Sequence, residues 1–484
     1  MINVYQREGQ MNLQGKAPND PSWWFEEALR SEGVRPAAPA LTGVLTVDVV
    51  IVGGGYTGLW TALALKERAP QLVVALIESS LCGSGASGKN GGKVSGYWPS
   101  LTGIAANIGP DAALAVARAG TRAQDAVRRF ATAPGRDVWW RENGHMRVSA
   151  APAQDTQIAT YLDTARQLGV PDTVRSLTAE EVQEICRSPV FREGIYFPEG
   201  ATVQPARLAR QLRAAAIAAD VKVFEGTPMI RLDEGTLNRV VTLNGEIIAR
   251  EVVLATNIEL AKRREIVPFL TVFSSYALMT QPAPEKISLM GWKREEGITD
   301  LRMFVHYFRK TIDGRMLMGS GSGPIGFGGN TSDPRLTTDM ASAIRAERGL
   351  RRLLPAFRDV EIDRTWGGGI DISFDRLPFF RTLPGTRIHY ACGYSGHGVN
   401  PTYIGGQCLA SLVLRSKDEW SSLPFCTREP RALPPEPFRY VGGRFVRWGI
   451  LRCEEDEEVG KASTLLPRVA AAIPKTFGLR IGTR

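Results

Sequence analysis

The sequence predicts an α/β fold: a Rossmann-like dinucleotide-binding domain interrupted by a second unit of β-strands and helix. Three stretches carry that expectation. Val47–Gly58 (VDVVIVGGGYTG) runs from a continuous apolar strand into Gly53, Gly55 and Gly58, the G-x-G-x-x-G spacing of a strand-to-helix turn. From Val267 to about Leu354 the chain changes to strand-like runs with long side chains, LTVFSSYALMTQP and LRMFVHYFRKTIDGRMLMGSGSG. Past Val360 it returns to strand, glycine turn and helix, with GYSGHG at Gly393–Gly398 leading into an apolar helix from about Pro401 to Arg415.

Each element follows from local pattern. Residues 1–43 are polar and proline-containing, with an apolar knot at Trp23, Trp24 and Phe25 that reads as an anchor for a wrapping segment. Residues 56–68 carry apolar side chains at helical spacing, and a second strand, Leu72–Ile77, ends at Glu78. In such a unit the first glycine permits the turn, the second admits a pyrophosphate, the third packs helix on strand, and the terminal acid accepts ribose hydroxyls. FAD and NAD are not distinguished by this unit alone.

The run Cys82–Pro99 (CGSGASGKNGGKVSGYWP) is so rich in glycine that it implies close backbone approach to something large and flat. Asp111–Phe130 reads as an amphipathic helix, 138–140 and 144–149 as strands, and 152–168 and 178–187 as surface helices. A proline-initiated helix lies within 200–219, followed by strand 221–224, hairpins around Asp233–Gly235 and Asn244–Gly245, and strand 251–255. Asp313–Gly314 marks another hairpin, and a helix is expected near 338–353. The expected division is therefore 1–43 as N-terminal extension; 44–150, 198–266 and 360–415 as the dinucleotide domain; 151–197 and 267–359 as the substrate domain; and 416–484 as a C-terminal extension.

Composition narrows the classes. With 43% hydrophobic and 23% charged residues the chain reads as globular, and the net charge of +9 suits an anionic ligand. Lys and Arg are scattered and no nucleic-acid motif accompanies them, so nucleic-acid binding is not expected. The cysteines, at 82, 186, 392, 408, 426 and 453, form neither a zinc spacing nor a disulfide framework, and no metal is expected. No signal segment or long apolar run is found, which points to a cytoplasmic protein.

Taken together, GGGYTGLWTALAL, GSGASGKNGGKVSG, EGATVQPARLARQL, VVLATN, YFRKTIDGRMLMGSG, DRLPFF and GYSGHGVNPTYIGGQCLA resemble the flavin-dependent D-amino-acid oxidase superfamily, which includes glycine and sarcosine oxidases. Within it the likeness is closest to the γ-glutamylputrescine oxidase group. The resemblance implies a glutathione-reductase-type FAD domain with an inserted antiparallel sheet plus helix. It implies FAD held by Gly53, Gly55 and Gly58, with Tyr56 and Thr57 between them, and by Glu78 with Ser79. The loop Gly85, Ala86, Ser87, Gly88, Lys89, Asn90, Gly91, Gly92 would pass beside ribityl chain and ring. Met229 would stand at the adenine, Thr256 and Asn257 near the pyrophosphate, and Gly393, Gly396, His397, Gly398 and Val399 at the N1–C2=O edge of the flavin. Asn257 replaces a usual glycine. Because Arg364–Phe374 lacks the cysteine through which some members attach FAD, the flavin is expected to be noncovalent.

The chemistry so implied is hydride transfer to flavin N5 from the carbon beside a neutral amine, giving an imine that water hydrolyses. The substrate would be a primary or secondary amine, a polyamine derivative or an N-alkyl amino acid, with O2 as acceptor giving H2O2. A dehydrogenase using quinone or another acceptor is the alternative, and a non-catalytic flavin-binding subunit a third reading. Candidates on the substrate or flavin face are Tyr276, His306, Trp366 and His397. Tyr97, Trp98, Phe304 and Tyr307 could line a pocket or the core, and Arg302 and Arg309 could meet a substrate carboxylate or lie in water. Lys89 and Lys93 sit in the flavin-side loop, while His145 and His389 read as structural, as His306 also can. The basic aromatic segment Phe438–Arg452 is expected to pack over the domain with its arginines in water, docking on an anionic membrane surface being the alternative.

Overall fold

The computed structural model describes residues 22–33 and 37–476; expectations for 1–21, for 34–36 and for Phe477 onward lie outside the described residues. The chain builds two eight-stranded sheets with one long cavity between them.

The first sheet runs, in spatial order, Phe379–Thr382, Ile388–Cys392, Gly245–Leu254, Gly43–Val52, Val74–Ile77, Lys222–Phe224, with Asn238–Thr242 added antiparallel along Gly245–Leu254 and Met229–Asp233 antiparallel along Asn238–Thr242. Its central pairs are parallel, Val50 standing opposite Ala75 on one side and Val252 on the other. A central parallel strand is buried on both faces, which is why Val49–Val52 is apolar without alternation. One face carries Ile51, Leu59, Leu65, Leu208 and Leu409, from the strand and from the helices Tyr56–Arg68, Pro205–Ala218 and Pro401–Leu414. The other face buries Val50, Val52, Val240 and Ile247 beneath Leu260, Ile266 and Leu270.

The second sheet runs Ile362–Ile372, Thr271–Thr280, Met316–Ser320, His306–Lys310, Gly297–Asp300, His145–Val148, Gly194–Phe197, Arg175–Leu177. It is antiparallel except where Gly297–Asp300 joins His145–Val148 in parallel. Met146, Val148, Leu278, Phe308, Met316 and Met318 cover one face, against Ala346, Leu350 and Leu353 of the helix Met340–Leu353. The opposite face meets the cavity.

Sheet membership differs at two places from the division read in the sequence. His145–Val148 and Ile362–Ile372 both lie in the second sheet, because the hydrogen-bond partners of a strand are set across the fold and not by its neighbours in sequence. The expected strand at 138–140 is a loop: Trp139 takes φ +55° and stacks among Trp23 and Trp24 instead of extending. Those two tryptophans belong to the helix Trp23–Glu32, whose Ser22 hydroxyl caps Phe25 N–H and donates to the carbonyl of Gly88.

Past Leu414 the chain forms the helices Phe438–Glu458 and Leu465–Thr476. The first does pack over the domain, but its arginines are not all in water. Arg439 donates to the carbonyls of Val267 and Leu270, and Arg447 to those of Ser322 and Gly323, while Arg444 and Arg452 are exposed, as are the apolar Phe438, Val441, Phe445 and Trp448. No helix among the described residues is long and apolar enough to cross a membrane.

Candidate active site

The strand Gly43–Val52 delivers the glycine turn to the cavity. Gly53 has φ +112°, and a Cβ there would stand 2.5 Å from the carbonyl oxygen of Ala255; a Cβ on Gly58 would stand 2.0 Å from that of Gly53. Both positions therefore require glycine for close packing of helix on strand. The helix Tyr56–Arg68 begins at Gly55, which has no side chain to cap it, and its Tyr56 N–H donates to the Ser87 hydroxyl at 2.8 Å; Pro401–Leu414 begins at Asn400, whose side chain makes no cap bond. Both helix starts line one cavity of about 2240 Å³, and the positive end of each helix dipole favours an acceptor-rich ligand there. Glu78 closes the second strand, with Oε2 accepting from Gly54 N–H at 2.8 Å and Oε1 from the Ser79 hydroxyl at 2.9 Å.

Of the residues expected along a cofactor, Gly53, Gly55, Tyr56, Thr57, Glu78, Ser79, Gly85, Ala86, Ser87, Lys89, Asn90, Gly91, Met229, Thr256, Asn257, Gly396, His397, Gly398 and Val399 all line this cavity. Gly58, Gly88, Gly92 and Gly393 do not, and stand behind it. Asn257 takes φ +51°, the left-handed backbone that a glycine would adopt and that asparagine tolerates, so the replacement keeps the local chain path. The loop is braced from outside: Arg309, buried over the Trp24 ring, donates to the carbonyls of Gly92 and Val203.

The predicted catalytic set is mostly displaced. Among Tyr276, His306, Trp366 and His397, only His397 lines the cavity. Tyr276 donates to the carbonyl of Arg335 and accepts from Asp339 N–H; His306 Nδ1 lies 2.8 Å from buried Asp300; Trp366 donates to the Lys89 carbonyl. Side chains alternate along a strand. Ser275 faces the cavity and Tyr276 the reverse side, as Tyr307 faces it and His306 does not. Arg302 is neither in water nor in the cavity, being bonded to Glu454 and Glu458. Tyr97, Phe304 and Tyr307 do line it, whereas Trp98 donates to Thr121 and Glu199.

In their place the fold assembles a cationic wall. His145 and Arg147 share one face of the strand His145–Val148, beside Thr299, Lys93, Tyr161, Arg376 and His397. Lys93 Nζ lies 3.2 Å from His145 Nε2, which is 3.3 Å from the Thr299 hydroxyl. Arg147 donates to the Tyr161 hydroxyl at 2.6 Å and lies over that ring. Arg376 takes φ +61° and has no ion pair among the described residues. Burial, then Arg376, Arg147 and Lys93, push His397 down to about 3, so its ring is neutral at pH 7. Burial first and Lys93 next hold His145 neutral as well, and burial reinforced by Arg147 lowers Lys93 well below an ordinary lysine. Sequence reading singled out Lys93 but set His145 aside and overlooked Arg147, Thr299, Tyr161 and Arg376. The i, i+2 spacing of His145 and Arg147 in a predicted strand was the available signal.

Asp371 fixes the second glycine turn by accepting from Gly393 N–H at 2.5 Å, while its own carbonyl accepts from Ser395 N–H. Burial raises its carboxyl to about 7, the amide donors only partly opposing this. Between the ordinary carboxylate value and pH 7 the folded protein keeps a proton that the unfolded chain has lost, so this group makes stability fall as pH rises through that window. Asp371→Asn is expected to flatten that fall, on the order of 2–4 kcal/mol between pH 4 and 7, in denaturant titrations across pH; an unchanged pH profile would refute the assignment.

Two helix starts facing one cavity, glycines that forbid a Cβ, the carboxylate of Glu78 at the end of the second strand and the length of the cavity fit an extended flavin dinucleotide. Among the described residues no group of His, Cys, Asp or Glu is placed to hold a metal. The family model described as FAD dependent oxidoreductase matches residues 48–412. The γ-glutamylputrescine oxidoreductase of Escherichia coli is 27% identical over 83% of this chain and 90% of that protein. A probable oxidoreductase, OrdL, of Rhizobium meliloti is 28% identical over 84% of this chain and 91% of its own length. Among solved structures, glycine oxidase from Geobacillus kaustophilus superposes with a TM-score of 0.66 at 22% identity, over 80% of this chain and 99% of that one.

Proposed function

As the chain belongs to the FAD-dependent oxidoreductase family, we propose that it oxidises an amine that also carries an anionic group, with O2 as electron acceptor. The cationic wall supports this reading: Arg147 and Arg376 face a shared cavity with no carboxylate of the protein against Arg376 among the described residues. A carboxylate, met by two planar guanidinium forks, would supply the missing charge.

In this reading the start of Tyr56–Arg68 would hold the pyrophosphate, Glu78 the adenosine ribose, and the Ser87–Gly91 loop with Gly396–Val399 the flavin end. Bound FAD would supply a two-electron acceptor for the C–H bond beside the substrate nitrogen, the amine leaving as an imine open to hydrolysis and O2 being the final acceptor, reduced to H2O2. The protein's part is binding and proton control. Clustered cations disfavour an ammonium, so the substrate nitrogen is held unprotonated and its C–H bond is activated. Lys93, whose ammonium form burial disfavours, stands within hydrogen-bond reach of His145, itself beside the Thr299 hydroxyl, as the group placed to exchange a proton with the arriving amine. Phe273, Phe304 and Tyr307 keep bulk water from the reacting carbon.

None of the six cysteines lines the cavity, which supports noncovalent attachment of the flavin. Acid or heat is expected to release all of it; flavin left on the denatured chain would contradict this. Purified protein assayed in air against a panel of amines is expected to form peroxide fastest with those bearing a carboxylate. Bleaching by amines without peroxide on admission of air would assign another acceptor, and no bleaching by any amine would refute the amine reading.

A further inference from the structure

The cavity face of the second sheet changes character from one end to the other. On strand His145–Val148 it presents His145 and Arg147, on Gly297–Asp300 Thr299, on His306–Lys310 Tyr307, and on Thr271–Thr280 Ser275 and then Phe273 opposite Ile370. Two strand spacings, roughly 10 Å, separate Tyr307 from Arg147 across the hydrogen-bonding direction. The apolar end is closed from above by the C-terminal helices. Phe273 and Phe304 stack at 5.9 Å, and with Ile325 they pack against Val446 of the helix Phe438–Glu458; Ile473 of Leu465–Thr476 joins the same cluster. All five also line the cavity.

This wall is built, not incidental. Glu454 accepts from the N–H groups of Met303 and Phe304 at 2.6 and 3.2 Å, and pairs with Arg302 at 3.1 Å. The helix thereby holds the loop that presents Phe304. Both helices lie beyond residue 412, where the family match ends, so their side of the wall, Val446 and Ile473, stands outside the matched domain, while Phe273, Phe304 and Ile325 stand within it.

We propose that the C-terminal helix pair walls an apolar subsite, so that the substrate carries an alkyl or aryl segment on the side of its reacting nitrogen away from the anionic group. The two ends of the cavity then read the two ends of one molecule. A polyamine derivative, cationic at its far end, would have to place that charge against Phe273, Phe304 and Val446 without a partner, which burial disfavours. The proposal takes the reacting group and the anionic end from the preceding reading and adds the opposite end.

The test uses the full-length flavoprotein and a series of unreactive straight-chain carboxylates, two to eight carbons long, with affinity read from the perturbation of the flavin absorption band. Affinity is expected to rise about fourfold per methylene over part of the series. Val446→Ser and Ile473→Ser are each expected to remove most of that rise while flavin per chain stays constant. Gly442, which lines the cavity and has nothing within 4 Å of a Cβ position, allows the converse: Gly442→Phe is expected to shorten the longest chain accepted, and it serves where a serine variant fails to fold. Affinity independent of length in the unaltered protein would overturn the proposal, as would a rise that all three variants leave intact. Because these ligands are not oxidised, a failure of the amine reading shows separately, as absence of bleaching by amines.

Discussion

A Gly58→Ala chain is expected to purify without flavin. The added Cβ would lie 2.0 Å from the Gly53 carbonyl oxygen and 3.2 Å from Ile51 Cγ2, and the first contact is backbone that no rotamer change relieves. The helix Tyr56–Arg68 would have to retreat from the strand by more than an ångström, taking its N–H groups off the pyrophosphate position. Loss of stability of about 2–4 kcal/mol and of FAD affinity by at least about 100-fold follow, read by thermal melts and by flavin fluorescence titration. Gly55→Ala separates the two effects. Its Cβ would meet only the Ser87 hydroxyl, at 3.0 Å, so the melt should move little while flavin affinity falls, because Gly55 lines the cavity.

The second large effect is expected at Arg376. Replacing it by Met keeps the side-chain length, and the φ of +61° strains both residues alike, so the change isolates the guanidinium. For an amine bearing a carboxylate, kcat/KM is expected to fall about 10²–10³-fold, the loss of a desolvated charged pair; for the same amine with that group made neutral it should fall less than about threefold. Arg376→Lys should lie between, retaining charge without the two-pronged geometry. Equal losses with both amines would make Arg376 a structural residue and remove the anionic end from the account.

The proposed cofactor end is legible in the sequence because phosphate binding imposes a local chain pattern. Strand, G-x-G-x-x-G, helix and terminal acid are contiguous in Val47–Glu78, and the residues named there line the cavity or pack directly behind it. The substrate end was not legible for the opposite reason. Lys93, the pair His145 and Arg147, Thr299 and Arg376 come from four separate stretches, two of them brought together by a parallel join between His145–Val148 and Gly297–Asp300 that no local signal announces. Tyr276, His306 and Trp366 were chosen for residue type, and each sits on the wrong face of its strand or at its back. The phase of a strand decides whether a side chain meets ligand or core, and a one-residue offset reverses it. The C-terminal extension could not be interpreted from sequence because its inner face, Val446 and Ile450, gains meaning only from the Phe273–Phe304 pair it covers.

The central claim is that one cavity holds FAD at its glycine turn and an anionic amine at its cationic wall. Anaerobic mixing of the purified flavoprotein with a matched pair, an N-alkyl amino acid and the same amine lacking its carboxylate, tests it most directly through the rate of flavin bleaching. The account predicts saturable bleaching by the amino acid, with half-saturation at least about 100-fold lower than for the partner lacking the charge. Bleaching that is indifferent to the carboxylate would contradict it, and so would flavin bound at full occupancy that neither amine reduces.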